Sequence, residues 1–97
     1  FQVITTGGDK ENYCETGSDR YTIVELLEPF NQTAKVCNMM YLPPFVVHGT
    51  HNMSTEDYKK NGLIYGYFLD YLENNYLDKD EISQHQYLNE WFATILT

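Results

Sequence analysis

The chain has 97 residues, 42% of them hydrophobic and 21% charged, the composition of one small globular domain rather than a disordered tail. A formal net charge of −8 excludes nucleic acid and anionic membrane surfaces as partners, because no basic stripe exists to displace counterions from phosphates. No stretch has the apolar length of a membrane span, no signal peptide is visible, and the 2 cysteines, Cys14 and Cys37, fall in no zinc-like or CxxC spacing, so the chain reads as a cytoplasmic protein with free thiols.

The first element is a strand, Phe1 to Thr6, carried by the β-branched Val3, Ile4, Thr5 and Thr6. It stops on Gly7-Gly8. A glycine pair after a strand marks a turn on local grounds. The sharper reading is that both positions lack a Cβ so that a flat ligand can lie against their amides. The strand begins at the first residue without an initiator methionine, so Phe1 reads as a cut edge of a larger protein. A polar loop follows from Asp9 to Arg20, long enough to be functional rather than idle.

Thr22 caps a helix whose apolar positions, Ile23, Leu26, Leu27, Phe30, Ala34 and Cys37, fall on one face, with a kink expected at Pro29. The second strand candidate is Tyr41 to His48. Pro43 and Pro44 cannot donate to a ladder, so it lies at an edge or is regular only from Phe45. His48 to Met53 is a loop. His48 and His51 in it are two nitrogens without a supporting cysteine or carboxylate cluster, so no metal site is expected. Ser54 and Asp57 form a capping box opening a long helix with Leu63, Ile64, Tyr67, Phe68, Tyr71 and Leu72 on its stripe, fraying at Asn74-Asn75. A charged connector, Asp78 to Glu81, leads to a last helix whose stripe of Leu88, Trp91, Phe92, Ile95 and Leu96 packs on the protein or on a partner subunit.

The order strand, helix, strand, helix, helix places a crossover unit first, hence parallel strands in an α/β fold. Two parallel strands need neighbours and cover on both faces. Further strands are therefore expected from a second chain or from an N-terminal half.

Three stretches in order, Ile4-Thr5-Thr6-Gly7-Gly8, Leu26-Leu27-Glu28-Pro29-Phe30 and Tyr41-Leu42-Pro43-Pro44-Phe45-Val46-Val47-His48-Gly49-Thr50, resemble the C-terminal half of the flavodoxin-like NAD(P)H:quinone oxidoreductases. That family includes the bacterial ancillary subunits of glutathione-gated potassium efflux systems. The resemblance covers residues 1–77, leaving 78–97 as a connector and an extra C-terminal helix. It implies the C-terminal portion of a doubly wound parallel sheet, with FMN or FAD beyond the carboxyl ends of its strands. It makes Thr5, Thr6, Gly7 and Gly8 flavin contacts and implies hydride passing from NAD(P)H through flavin to a quinone. Fixed N–H donors would stabilise the negative charge that develops on the ring.

Tyr13 lies where better-known members carry a tyrosine that balances charge on reduced flavin or quinone, and it is the catalytic candidate. Where those members place a histidine, this chain has Asp19, ionised near neutral pH and a poor proton donor. The family's serine-rich phosphate loop and the aromatic segment before Thr5 have no counterpart here, so the chain alone should bind flavin weakly or not at all. The resemblance also implies homodimers with sites at the subunit interface, and a membrane transporter as a possible partner. The competing reading is a non-catalytic regulatory or assembly module without flavin.

Overall fold

Val3–Thr5 (β1) and Phe45–Val47 (β2) are short runs of β-branched and aromatic residues, and they pair in parallel with Ile4 opposite Val46. This computed structural model describes residues 1–13 and 21–97; Cys14, Gly17, Ser18 and Asp19 lie outside the described residues. Phe45 N–H donates to Gln2 O and Thr6 N–H to Val47 O, both at 2.9 Å, closing the ladder at its two ends. Regular pairing starts at Phe45, directly after the two prolines.

Thr22 caps α1 (Ile23–Leu26) with a full capping box closed by Glu25. Pro29 falls in the first turn of α2 (Glu28–Val36), where its missing N–H costs nothing, so the expected kink is a break between two helices at Leu27. α2 ends on Asn38 at φ 56°, the left-handed cap that asparagine tolerates, with Met39 N–H reaching back to Ala34 O at 2.8 Å. Of these two helices only Ile23 and Leu27 join a core cluster. The single face expected from Ile23 to Cys37 is therefore not formed: Ile23 is buried and Leu27 half-buried, but Leu26, Phe30 and Cys37 are exposed and α2 buries none of its residues.

Ser54 and Asp57 form the expected capping box of α3 (Thr55–Asn74), which ends at the Asn74-Asn75 pair. Its buried side is narrower than the stripe predicts. Phe68 is fully buried, with Ile64, Tyr71 and Leu72 beside it, whereas Leu63 at 60% and Tyr67 at 56% face outward. The segment from Asp78 is not a bare connector. Asp78 Oδ1 accepts from Asp80 and Glu81 N–H and caps α4 (Lys79–Ile82), and the two acidic residues of its first turn complement the helix dipole. α5 (Leu88–Leu96) buries Leu88, Trp91 and Phe92 and leaves Ile95 and Leu96 exposed.

The pleat sorts β2 between two clusters. Phe45 and Val47 turn to the larger one, made with Leu42, Phe68, Ile82, Leu88, Trp91 and Phe92; Val46 turns to the smaller one, made with Ile23 and Tyr87. Phe68 is the hub of the larger, its ring edge-on to Phe1 and to Phe92 at 5.3 Å and tilted against Phe45 at 5.9 Å. Trp91 Nε1 is buried there without an acceptor among the described residues. α5 thus sits in the same core as β2 and α3.

The outer edge of β2 is closed by the same segment. Asn89 Oδ1 accepts from Val46 N–H at 3.2 Å, Asn89 Nδ2 donates to Val46 O at 2.8 Å, and Leu88 N–H donates to Pro44 O at 2.8 Å. One side-chain amide does here what another strand would do. Among the described residues no segment hydrogen-bonds to the outer edge of β1, where Val3 is 48% exposed. No helix of the described residues is long and apolar enough to cross a membrane.

Candidate functional site

Because β1 and β2 run parallel, the loops that follow them leave from the same end of the sheet, the end where open α/β sheets place ligands. Here the two loops are tied together by backbone. Gly49 N–H donates to Gly8 O at 2.9 Å, and Thr50 uses both its N–H and its hydroxyl, each at 3.0 Å, on Thr6 O. Gly49 makes the turn at φ 70°, a left-handed angle that favours glycine.

Thr6 is the buried polar residue of this corner. Its hydroxyl lies 2.9 Å from Gly8 O and 2.7 Å from His48 Nδ1. The other imidazole nitrogen, Nε2, is 3.2 Å from the Tyr87 hydroxyl. The His48 ring also neighbours the Tyr13 and Tyr87 rings, each with its centroid 5.5 Å away. Burial, and secondarily the Lys10 ammonium, hold the His48 pKa below the ordinary 6.5, with Glu11 and Asp9 pulling the other way. Burial pushes the Tyr87 phenol up, so both groups are neutral near pH 7. Lys10 joins the corner to α5 through Glu90 at 3.1 Å and sits 5.6 Å above the Tyr87 ring.

A Cβ at Gly7 would fall 2.2 Å from the His51 imidazole, an exposed ring. At Gly8 it would fall 2.6 Å from Asn12 Nδ2. Neither glycine has a positive φ, so backbone strain does not require the pair, and the atoms a Cβ would meet are the ends of the His51 and Asn12 side chains. Their amides are a separate matter. Both residues are half-buried, and among the described residues neither N–H donates to a protein acceptor. Thr5 is exposed at the end of β1.

Tyr13 closes the 3₁₀ turn Lys10–Asn12 and lines a cavity of about 410 Å³ with Lys10, Glu11, Thr22, Gln86 and Tyr87. The lining does not include Thr5, Thr6, Gly7 or Gly8, so Tyr13 and the glycine loop are linked through His48 rather than through one shared cavity. His48 and His51 do not converge. His48 is engaged by Thr6 and Tyr87 while His51 lies against Gly7, and among the described residues no three His, Cys, Asp or Glu side chains are grouped to hold a metal. Cys37 is free and exposed at the C-terminal cap of α2, and the polar loop's Cys14 and Asp19 fall outside the described residues.

Sequence reasoning missed His48, Tyr87 and Asn89 as parts of this corner. A histidine at the carboxyl end of a parallel strand is a signal that could have found His48. Nothing local marks Tyr87 or Asn89, which arrive from some 40 residues away.

The model of the flavodoxin-like fold matches residues 1–63. General stress protein 14 of Bacillus subtilis is 41% identical over 55 residues, 57% of this chain and 31% of that protein. The glutathione-regulated potassium-efflux system ancillary protein KefG of Erwinia tasmaniensis is 35% identical over 72 residues, 74% of this chain and 38% of that one. KefG of Pectobacterium carotovorum is 33% identical over 67 residues, 69% and 37% of the two chains. The chain thus spans between 31% and 38% of the length of these curated relatives. No solved structure matches it. The parallel strand pair, its covering helices and the matched 1–63 region agree, and the chain belongs to the family of the flavodoxin-like fold.

Proposed function

We propose that the chain is part of an NAD(P)H:quinone oxidoreductase, working in the cytoplasm, whose flavin lies against the loop Thr5–Gly8. The observation that carries this reading is the pair of half-buried N–H groups at Gly7 and Gly8, without protein acceptors among the described residues, at the carboxyl end of a parallel strand pair. Such donors suit the polar edge of a flavin. They would favour negative charge there without having to reorganise. Flavin, when bound, supplies the hydride chemistry; the protein positions it and tunes its electronics. Tyr13 would offer its hydroxyl from the neighbouring cavity, its ring held against His48.

The fit is partial. The amides are in place, but the His51 imidazole occupies the space over Gly7 and would have to turn aside for a flat ligand. His51 is exposed, so that movement opens no core. The open edge of β1 supports a whole protein of the relatives' length in which further strands pair there, or a second copy supplying the neighbour.

A second reading is favoured by the likeness to KefG, whose name makes it an ancillary protein of a potassium-efflux system. In that reading the chain is a regulatory or assembly module of a transporter and keeps the fold without the flavin. Titration with FMN and with FAD, followed by flavin fluorescence, separates the two. Saturable binding together with NAD(P)H-dependent reduction of a quinone supports the reductase. No binding of either flavin removes the reading of this chain as a reductase by itself and favours the ancillary one.

A further inference from the structure

We propose that Tyr87, brought in by the segment after α3, is a positioning residue that sets the shape of the Thr6–Gly8 loop by holding His48 in one tautomer. The argument starts from the Thr6 hydroxyl, which has a single proton and two close neighbours, Gly8 O at 2.9 Å and His48 Nδ1 at 2.7 Å. If that proton pointed at Nδ1, two oxygens would face each other at 2.9 Å with no hydrogen between them. The proton therefore goes to Gly8 O, and His48 Nδ1–H donates to Thr6.

In a neutral imidazole this leaves Nε2 as an acceptor, and the donor in reach is the Tyr87 hydroxyl at 3.2 Å. The chain then runs in one direction, from Tyr87 O–H to His48 Nε2 and from His48 Nδ1–H to Thr6, with the Thr6 hydroxyl ending on Gly8 O. Each member has its partner only with this polarity. Because Gly8 O also receives Gly49 N–H, the carbonyl is pinned from two sides, and with it the peptide unit that follows the Gly7 and Gly8 amides.

The groups facing His48 are consistent with a neutral ring. Lys10 opposes protonation, Asp9 and Glu11 favour it, Glu90 is bonded to Lys10, and the Tyr13 and Tyr87 rings neighbour the imidazole. Tyr87 lies beyond the matched 1–63 region, so the loop's geometry depends on a part of the chain that the family match does not cover. Flavin binding is not needed for this inference, although it concerns the same loop.

The test is the imidazole nitrogen NMR spectrum of the protein without ligand, near neutral pH. The wild type should show His48 protonated at Nδ1 and bare at Nε2. Tyr87→Phe, which keeps the ring, should move the His48 nitrogen signals and its titration midpoint, and displace the Thr6, Gly7 and Gly8 amide signals. A wild-type ring protonated at Nε2 overturns the proposal with no variant required. So does a folded Tyr87→Phe protein whose His48 midpoint and loop amides are unmoved. Since no flavin is present, the outcome is independent of whether the reductase reading stands.

Discussion

The two outer edges of the sheet are finished in opposite ways. Along β2, Asn89 pairs with both backbone groups of Val46, Leu88 N–H takes Pro44 O, and behind them Ile82, Leu88, Trp91 and Phe92 fill the core. Along β1, no described segment pairs with the backbone, and Val3 is half exposed. The same contrast runs through the helices: α5 is buried on one side over most of its length, while α2 buries nothing. A short strand is not stable by its own ladder. It is stable where apolar surface and hydrogen-bond partners reach it from elsewhere in the chain. The difference teaches that the segment after Asp78 is the wall that closes one edge of the domain.

The contrast can be broken most forcefully in the core behind β2. Phe92→Ala should cost about 3–5 kcal/mol in urea unfolding, since it empties a fully packed aromatic site, whereas Val3→Ala on the open side should stay within about 0.5 kcal/mol. Equal losses at the two positions would erase the distinction between the edges. A smaller effect isolates the edge itself. Asn89→Ala leaves the buried Val46 N–H and C=O without partners and should cost about 1–3 kcal/mol, with the Val46 amide losing its protection from hydrogen exchange. Protection unchanged in that variant would mean that water or another group serves the edge equally well.

The smallest expected effect depends on pH. His48 has a folded pKa below its ordinary 6.5, so the unfolded chain binds the proton more readily. Its contribution to stability is fully present above pH 6.5 and is lost as pH falls below that value through the lowered folded pKa. Urea midpoints at about pH 7.5 and about pH 5 should differ more for the wild type than for His48→Gln. An identical difference in both proteins would show that His48 is not the group responsible.

Much of the local design was legible in the residues. The caps at Thr22 and Ser54, the restart of regular pairing at Phe45 after two prolines, a disturbance of the helix near Pro29 and the parallel crossover all follow from rules that act within a few residues. The likeness to a flavodoxin-like half was carried by three such local stretches, and residues 1–63 bear it out. Less legible was which side of a helix would be used. Leu63 and Tyr67 share a periodic stripe with Phe68, and Leu26 and Phe30 with Ile23, but periodicity cannot say how wide a surface will be offered to cover them.

By itself, then, the sequence determined the two strands, the long helix, most of the caps and the parallel order, because those depend on backbone sterics and near-neighbour hydrogen bonds. Tertiary structure alone decided what stands around the Thr6–Gly8 loop. It put the His51 ring over Gly7, His48 beside two tyrosines, Tyr87 at the end of a hydrogen-bond chain and Asn89 on the edge of β2. These contacts join residues that no local rule relates, and they form only when burial of Phe68, Trp91 and Phe92 draws the end of the chain against the sheet.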